Sequence, residues 1–283
     1  MAVMTVMKKF FKMHGLGNDF VILDCRDGSN VTDVAAKEIA NRRTGIGCDQ
    51  LIILKNPHHN NDVFLEFRNN DGSKSSACGN GTRCVAEMIL EEKLKDEIKI
   101  ETEAGILKAW KNKTNGLIAV DMGKPKFIWN EIPLAKNIDH KEVDLGKDSP
   151  ANAFCLSMGN PHAVLFLEDF DGLDIASLGP KLENHPMFPE KANISFAKIN
   201  SKSQIKMRTW ERGAGITKAC GTGACAVVVA ANELLKTDKK CEVILEGGKL
   251  NVCLSNEGNV FLEGPAEKSF NGFLGRRLSN LVN

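Results

Sequence analysis

The chain has 283 residues, of which 42% are hydrophobic and 26% are charged. This composition excludes a disordered or low-complexity protein and provides enough apolar material for one large domain or two ordinary ones. Because 37 Lys and Arg residues balance 36 Asp and Glu residues, the charge gives no indication of nucleic acid or an acidic membrane surface as a partner.

The compartment is indicated by three further features of the chain. The first fifteen residues lack the long apolar core and the small-residue cleavage site of a signal peptide. No apolar run reaches the roughly 18 residues that a membrane-spanning helix needs. The nine cysteines are an odd number in a long chain, which disfavours a secreted disulfide framework. We therefore expect a cytoplasmic protein with reduced thiols and no membrane partner.

Nine short apolar runs predict strands, and three longer segments predict helices. Many of the runs alternate and end at Gly, Asn or Asp, which is typical of half-buried antiparallel strands. The predicted strands are 20–24, 50–55, 63–68, 98–102, 116–123, 163–169, 203–210, 242–254 and 259–264, and the predicted helices are 33–43, 82–94 and 222–236. The last helix is apolar on nearly every face until Asn232, which indicates a helix enclosed by sheet.

One phrase occurs twice, each time just before a long helix. Residues 77–81 read Ala-Cys-Gly-Asn-Gly and residues 219–223 read Ala-Cys-Gly-Thr-Gly, so the offset is 220 − 78 = 142. The same offset pairs Gly17-Asn18 with Gly159-Asn160, each leading into a predicted strand. Two matches in one register argue for an internal duplication. We place the boundary within the Gly-, Pro- and polar-rich stretch 123–150.

Each half therefore delivers a cysteine to the start of a helix. The glycines let backbone amides converge, and the helix start leaves N–H groups and a positive dipole end unpaired. Such a position should lower the pKa of a thiol, and the same amides suit a carboxylate. Cys78 and Cys220 are thus candidates for a base and an acid that act on opposite faces of one carbon. This chemistry requires no cofactor. None of the lysines lies in a sequence setting that suggests a Schiff base with pyridoxal phosphate.

Other interpretations of these motifs are weaker. Zinc could be held by Cys78, Cys84, Cys220 and Cys225, but spacings of six and five are unlike a zinc knuckle, so we expect no metal. A dinucleotide fingerprint fails because Gly15-Leu16-Gly17 lacks its third glycine and precedes a strand. The other seven cysteines are expected to be small core residues.

Five blocks of the sequence resemble the diaminopimelate epimerases, a family that is independent of pyridoxal phosphate. The resemblance extends from about Met7 to the C-terminus, in order and with similar spacing. The blocks are KMHGLGNDFVILD (12–24), GIGCDQLIIL (45–54), NNDGSKSSACGNGTRCVA (69–86), GNPHAV (159–164) and ERGAGITKACGTGACA (211–226).

The resemblance implies a fold and an activity. The fold is α+β, with two pseudo-symmetric lobes, each a barrel-like, mostly antiparallel sheet around a central helix. The lobes correspond to 1–122 and 123–268, with 269–283 returning to the first lobe. The activity is interconversion of LL- and meso-2,6-diaminopimelate, in lysine and peptidoglycan-precursor biosynthesis, with a small-molecule substrate and no cofactor. A homodimer is the assembly to be tested.

The resemblance also implies roles for individual residues. Cys78 and Cys220 match the catalytic thiols, and His162 and Glu211 match positions that tune the thiol pKa values. The remaining matches are substrate contacts: Asn18, Gln50, Asn69, Gly79, Asn80, Asn160, Asn193, Glu211, Arg212, Gly221 and Thr222. A planar guanidinium such as that of Arg212 suits the distal carboxylate of diaminopimelate. Without the resemblance, most of these polar residues would be interpreted as turn or strand-edge residues.

Two alternatives remain at this point. Proline and hydroxyproline racemases also use opposed cysteines, but their substrate has one amino-acid end and needs no Arg for a second carboxylate. A thiol-redox binding protein would instead join Cys78 and Cys220 in a disulfide.

Overall fold

The computed structural model describes residues 7–75 and 78–282, and its chain divides into two compact units. One unit runs to Val120 and resumes at Pro265, and the other is Asp121–Gly264. Residues 1–6 and Ala77 lie outside the described residues. The former belong to the N-terminal stretch in which no signal peptide is expected, and Ala77 is the first residue of the first repeated phrase.

The first unit is an α+β structure with one mixed sheet. Its strands follow the order β17-β1-β2-β3-β4-β6-β7-β8, with β5 beside the end of β4. The pairs β2–β3 and β4–β6 are parallel, and the other pairs are antiparallel. The elements are β1 (Lys9–Gly15), β2 (Asn18–Asp24), α1 (Asp33–Ala40), β3 (Gln50–Lys55), β4 (Val63–Asn69), β5 (Lys74–Ser75), α2 (Gly79–Lys93), β6 (Glu97–Thr102), β7 (Gly105–Lys111), β8 (Ile118–Asp121), β17 (Glu267–Phe273) and α5 (Arg276–Ser279).

The second unit repeats the topology of the first. Its strand order is β9-β10-β11-β12-β14-β15-β16, with β13 beside β12 and with parallel pairs β10–β11 and β12–β14. Strand by strand, this is the order of β1 to β8, so the duplication inferred from the 142-residue offset extends to the fold. The elements are β9 (Phe154–Ser157), β10 (Pro161–Phe166), α3 (Ile175–Glu183), β11 (Asn193–Ser201), β12 (Gln204–Glu211), β13 (Gly215–Thr217), α4 (Gly221–Glu233), β14 (Lys240–Leu245), β15 (Gly248–Leu254) and β16 (Val260–Gly264).

The central strands of the first unit are buried on both faces, which differs from the half-buried expectation. Val21 and Ile53 belong to a cluster with α1, whereas Phe20, Ile52 and Phe67 lie against the first turn of α2. Parallel strands need crossover connections, and these cover both faces of the sheet. Strands buried on both faces are apolar at successive positions rather than at alternate ones.

Helix α4 is enclosed by its own sheet, as its all-round apolar sequence predicts. It packs against β9 to β12 and β14 to β16, and all its residues from Gly223 to Ala231 are buried. Since the strands that contact it include both ends of the sheet order, the sheet curves around the helix. Within residues 7–75 and 78–282, no helix is both long and apolar enough to cross a membrane.

The C-terminal ends of the two long helices carry leucines in a left-handed conformation, and this yields a stability prediction. Leu94 has φ 52° and Leu235 has φ 58°, and each is 91% exposed. Left-handed backbone costs an L-residue about 1 kcal/mol, which glycine avoids. We expect Leu94→Gly to raise the free energy of unfolding by about 1 kcal/mol in urea titrations. Leu94→Ala keeps the strain and should gain nothing; a lower urea midpoint for Leu94→Gly would contradict the prediction.

Candidate functional site

In the first unit, Cys78 is the N-cap of helix α2. Its backbone is extended and its Sγ accepts a hydrogen bond from Gly81 N at 3.5 Å. A Cβ added at Gly81 would lie 2.8 Å from Ile52 Cδ1, so the second glycine of the motif lets the helix start sit close to the strands. The predicted helix start at residue 82 is therefore too late, because both glycines belong to the first turn. The backbone N–H groups of Gly79 and Asn80 belong to the first turn of α2. A helix provides no backbone acceptor of its own for N–H groups in its first turn.

The amide of Asn18 faces the Cys78 thiol. Asn18 Oδ1 lies 3.8 Å from Cys78 Sγ and accepts from Asn80 Nδ2 at 3.3 Å. Asn18 Nδ2 donates to Asp49 Oδ2 at 2.9 Å, and Arg42 Nη2 donates to the other oxygen of Asp49 at 2.7 Å. Asp49 therefore fixes which atom of Asn18 faces the sulfur. Sequence reasoning missed Asp49, although it lies in a block that resembles the family.

Gln50 and Asn69 form a second polar pair in this unit. They are opposite each other on β3 and β4, and Gln50 Nε2 donates to Asn69 Oδ1 at 3.0 Å. Gln50 Oε1 is buried and has no hydrogen-bond partner among the described residues. An acceptor left in this state is suited to an ammonium group of a ligand.

In the second unit, Cys220 is the N-cap of α4 and is 3% exposed. Its Sγ accepts from Gly223 N at 3.4 Å and lies 3.7 Å from Thr222 Oγ1. A Cβ at Gly223 would lie 3.1 Å from this sulfur. Gly221 and Thr222 thus occupy the positions that Gly79 and Asn80 occupy in the first unit.

Glu211 is a charged neighbour of the Cys220 thiol. The Cys220 thiol donates to the Glu211 carboxylate, which also accepts from Thr217 Oγ1. Burial first, and then the charge of Glu211, raise the pKa of Cys220 well above its ordinary value. Burial likewise raises the pKa of Glu211. The sequence expectation of a lowered thiol pKa at a helix start is therefore wrong for Cys220, because desolvation outweighs the helix dipole.

His162 contacts Asn160, whose side chain lies beside the Cys220 motif. Its ring is 0% exposed, and burial followed by the charge of Arg212 lowers its pKa to about 3. The neutral ring lies with Nε2 3.0 Å from Asn160 Oδ1, and Asn160 Nδ2 donates to Thr222 Oγ1 at 3.4 Å. A chain of side chains therefore links His162 to the threonine beside the Cys220 sulfur.

Asn193 holds the loop that carries Arg212. Its Nδ2 donates to Pro161 O at 2.9 Å, and its Oδ1 accepts from Arg212 N at 3.0 Å. The Arg212 guanidinium is exposed and donates through Nη1 to Glu190 O at 3.1 Å. Its other donors can therefore bind a carboxylate.

None of the nine cysteines, all of which lie in the described ranges, forms a disulfide. Burial raises the pKa of Cys48 and of Cys84 to about 12, which suits the inert core role expected for them. In the described ranges, no cluster of three or more His, Cys, Asp or Glu side chains could hold a metal ion.

The link between Glu211 and Cys220 predicts a pH effect. Glu211→Gln removes the negative charge that raises the Cys220 pKa, whereas burial still raises it. We expect alkylation of Cys220 by iodoacetamide, in a Cys78→Ser background, to shift to lower pH by on the order of one unit. Mass spectrometry of the Cys220 peptide measures the rate, and surface Glu246→Gln is the control. An unchanged profile would exclude this role for Glu211.

Comparisons with known proteins identify a family for the chain. The family model described as diaminopimelate epimerase matches residues 10–128 and 154–269. A protein named diaminopimelate epimerase from Rhodospirillum centenum is 44% identical over 275 residues, which cover 96% of this chain and 94% of that protein. One with the same name from Phenylobacterium zucineum is 45% identical over 272 residues, which cover 94% and 98%.

Solved structures share the fold at low sequence identity. A hydroxyproline epimerase from Agrobacterium vitis has a TM-score of 0.67 at 14% identity and covers 95% of this chain and 92% of its own. A PhzF-family phenazine biosynthesis protein from Bacillus anthracis has a TM-score of 0.64 at 17% identity, covering 95% and 99%. The family match and the two similar relatives show that this chain belongs to the diaminopimelate epimerase family.

Proposed function

We propose that this chain is an isomerase that interconverts LL- and meso-2,6-diaminopimelate by a two-cysteine mechanism, in lysine and peptidoglycan-precursor biosynthesis. The observation that carries the proposal is that Cys78 and Cys220 cap equivalent helices in two units of one topology. Relatives 42–45% identical to this chain are named for this activity. The substrate is a small molecule, and the chemistry requires no cofactor.

In the proposed reaction, the two units are the family's two lobes and the thiols act from opposite faces of the substrate α-carbon. One thiolate removes the α-proton, the C–H electron pair passes into the carboxylate as enolate-like charge, and the other thiol gives its proton to the opposite face. The helix-start amides of Gly79, Asn80, Gly221 and Thr222 would bind the reacting carboxylate. Donors aimed at developing charge lower the barrier to its formation.

The raised pKa of Cys220 assigns it a starting role. Because burial and Glu211 hold this thiol protonated near neutral pH, Cys220 would begin as the acid and Cys78 as the base. In the reverse direction the roles exchange, since each turnover transfers a proton from one sulfur to the other. After a turnover that begins with Cys78 as the base, Cys78 is left as the thiol and Cys220 as the thiolate, so Cys78 would lose a proton to solvent and Cys220 would gain one before the next turnover. The negative charge of Glu211 favours this reprotonation of Cys220.

The distal end of the substrate would be recognised by Arg212. Its exposed guanidinium retains donors for a carboxylate, while Gln50 Oε1 offers an acceptor for an ammonium group. Asn18, Asn69, Asn160 and Asn193 complete the proposed polar lining.

A chiral chromatography assay tests the function and its nearest rival. With reductant and without pyridoxal phosphate, LL-diaminopimelate should convert to an equilibrium mixture with the meso isomer. L-Proline and trans-4-hydroxy-L-proline, run in parallel, should remain unchanged. Conversion of either imino acid without conversion of diaminopimelate would replace this proposal with a racemase of the hydroxyproline type. Activity only after oxidation would favour the thiol-redox protein.

We also propose a cytoplasmic homodimer. A reducing compartment would keep both thiols available for chemistry. Strand β17 pairs with β1. Its Phe270 and Phe273 side chains are 50% and 59% exposed, so strand β17 is a candidate contact with a second copy of the chain. Sedimentation velocity at micromolar concentration distinguishes a dimer from a monomer.

A further inference from the structure

Glu211 and Arg212 lie on one β-hairpin. Strands β12 and β13 pair with Glu211 opposite Gly215, and Ala214 N donates to Glu211 O at 3.1 Å across the turn. Gly213 has φ +74°, a conformation that favours glycine. The group that acts on the Cys220 thiol and the group proposed for the distal carboxylate are therefore adjacent on one turn.

A buried carboxylate accepts hydrogen bonds from this hairpin on both sides of Glu211 and Arg212. Glu183, the last residue of α3, is 5% exposed. Its Oε2 accepts from Trp210 Nε1 at 2.7 Å, and its Oε1 accepts from Gly213 N at 3.0 Å. The nearest cation, Lys191 Nζ, is 3.9 Å from Oε1. Because burying a carboxylate without donors is costly, both hydrogen bonds should form together.

Helix α3 also approaches the hairpin very closely. A Cβ added at Gly179 would lie 2.4 Å from Trp210 Cδ2, so the indole packs directly on the helix backbone. With its ring against Gly179 and its Nε1 on Glu183, Trp210 has little freedom to turn. The hairpin therefore has a rigid attachment on the residue that precedes Glu211.

We propose that Glu183 is a positioning residue that sets the placement of Glu211 and Arg212 through the two ends of their turn. This inference rests on the proposed function for the role of Arg212, but not for the contact between Glu211 and Cys220. Glu183 contacts neither of these side chains in the hydrogen bonds described; it acts through Trp210 and Gly213. Glu183 thus couples recognition of the distal carboxylate by Arg212 to protonation of the Cys220 thiol.

The test uses three variants of the full chain. Glu183→Ala removes both acceptors, Glu183→Gln keeps one carbonyl oxygen for one of the two N–H donors, and Lys181→Gln changes an exposed charge on the same helix. For Glu183→Ala we expect KM for LL-diaminopimelate to rise on the order of tenfold. Glu183→Gln should show a smaller rise, and Lys181→Gln should match the unmodified chain.

A second readout requires no substrate. Glu211 is the charged group that acts on the Cys220 thiol, with Thr222 as its uncharged neighbour. In the Cys78→Ser background, Glu183→Ala should move the pH profile of Cys220 alkylation toward lower pH, the direction expected for Glu211→Gln. Glu183→Gln provides the same test if Glu183→Ala does not fold. If folded Glu183 variants keep both KM and the alkylation profile, the proposal is overturned. If the unmodified chain does not epimerise diaminopimelate but the alkylation profile moves, the proposed function fails and the Glu183–Cys220 link stands.

Discussion

Replacing either Cys78 or Cys220 by serine should reduce epimerisation of LL-diaminopimelate by roughly 10²- to 10⁴-fold, the range that one positioned acid or base contributes. A serine hydroxyl is a far weaker acid than a thiol, so it neither forms the base near neutral pH nor readily gives up its proton. Steady-state rates from chiral chromatography measure the loss. Both variants should keep the fold, because a hydroxyl oxygen can still accept the helix-start N–H of Gly81 or Gly223.

Cys84→Ala is the matched control for these variants. Cys84 lies in the same helix as Cys78, is fully buried, and has a pKa of about 12 because of that burial. Its replacement should cost some stability and leave the rate per folded molecule unchanged. If Cys84→Ala were as inactive as the serine variants, the losses would reflect helix packing rather than acid–base chemistry.

Arg212→Ala should reduce kcat/KM for diaminopimelate by on the order of 10²-fold, since charge-assisted hydrogen bonds to a carboxylate contribute about 1.5–3 kcal/mol. The loss should fall mainly on KM, because the distal carboxylate does not change during the reaction. Stability should hardly change, as the side chain is exposed. Initial rates over a range of substrate concentrations give the two parameters.

Arg208→Ala, on the strand that leads to Arg212, tests whether the loss of any nearby arginine has this effect. Arg208 lies 3.6 Å from Glu246 in a surface ion pair, and such pairs contribute little. Its removal should leave both kinetic parameters unchanged. Near-normal turnover by Arg212→Ala would show that another group binds the distal end.

The repeated phrase predicted more of the fold than the strand patterns did. One offset of 142 residues related the two cysteines and two turns, and the structure extends this relation to a shared topology. Strand β17 escaped prediction because its residues are almost all exposed and lack alternation. Strand β11 escaped because its buried polar residues resemble a loop; Ser195, for example, bonds Thr209 across the sheet at 3.2 Å.

The site shows which properties sequence motifs convey and which depend on burial. The helix-start position of both cysteines followed from the Gly-x-Gly pattern. The raised pKa of Cys220 did not, because it depends on desolvation and on a carboxylate nine residues earlier. Asp49, Thr217 and Glu183 were missed since their roles are contacts with other side chains. The sequence around Glu183 gives no signal for its role, because that role depends on its burial at the end of α3.

Conversion of LL-diaminopimelate in deuterium oxide, with reductant present, tests the two-thiol account most directly. A thiol that has exchanged with solvent delivers deuterium, so the meso product should carry one deuterium at the inverted α-carbon, and mass spectrometry should find it from the first turnovers. Cys78→Ser and Cys220→Ser should show little product. Meso product that forms with its original hydrogen retained at that carbon would contradict proton delivery by a second, opposing sulfur.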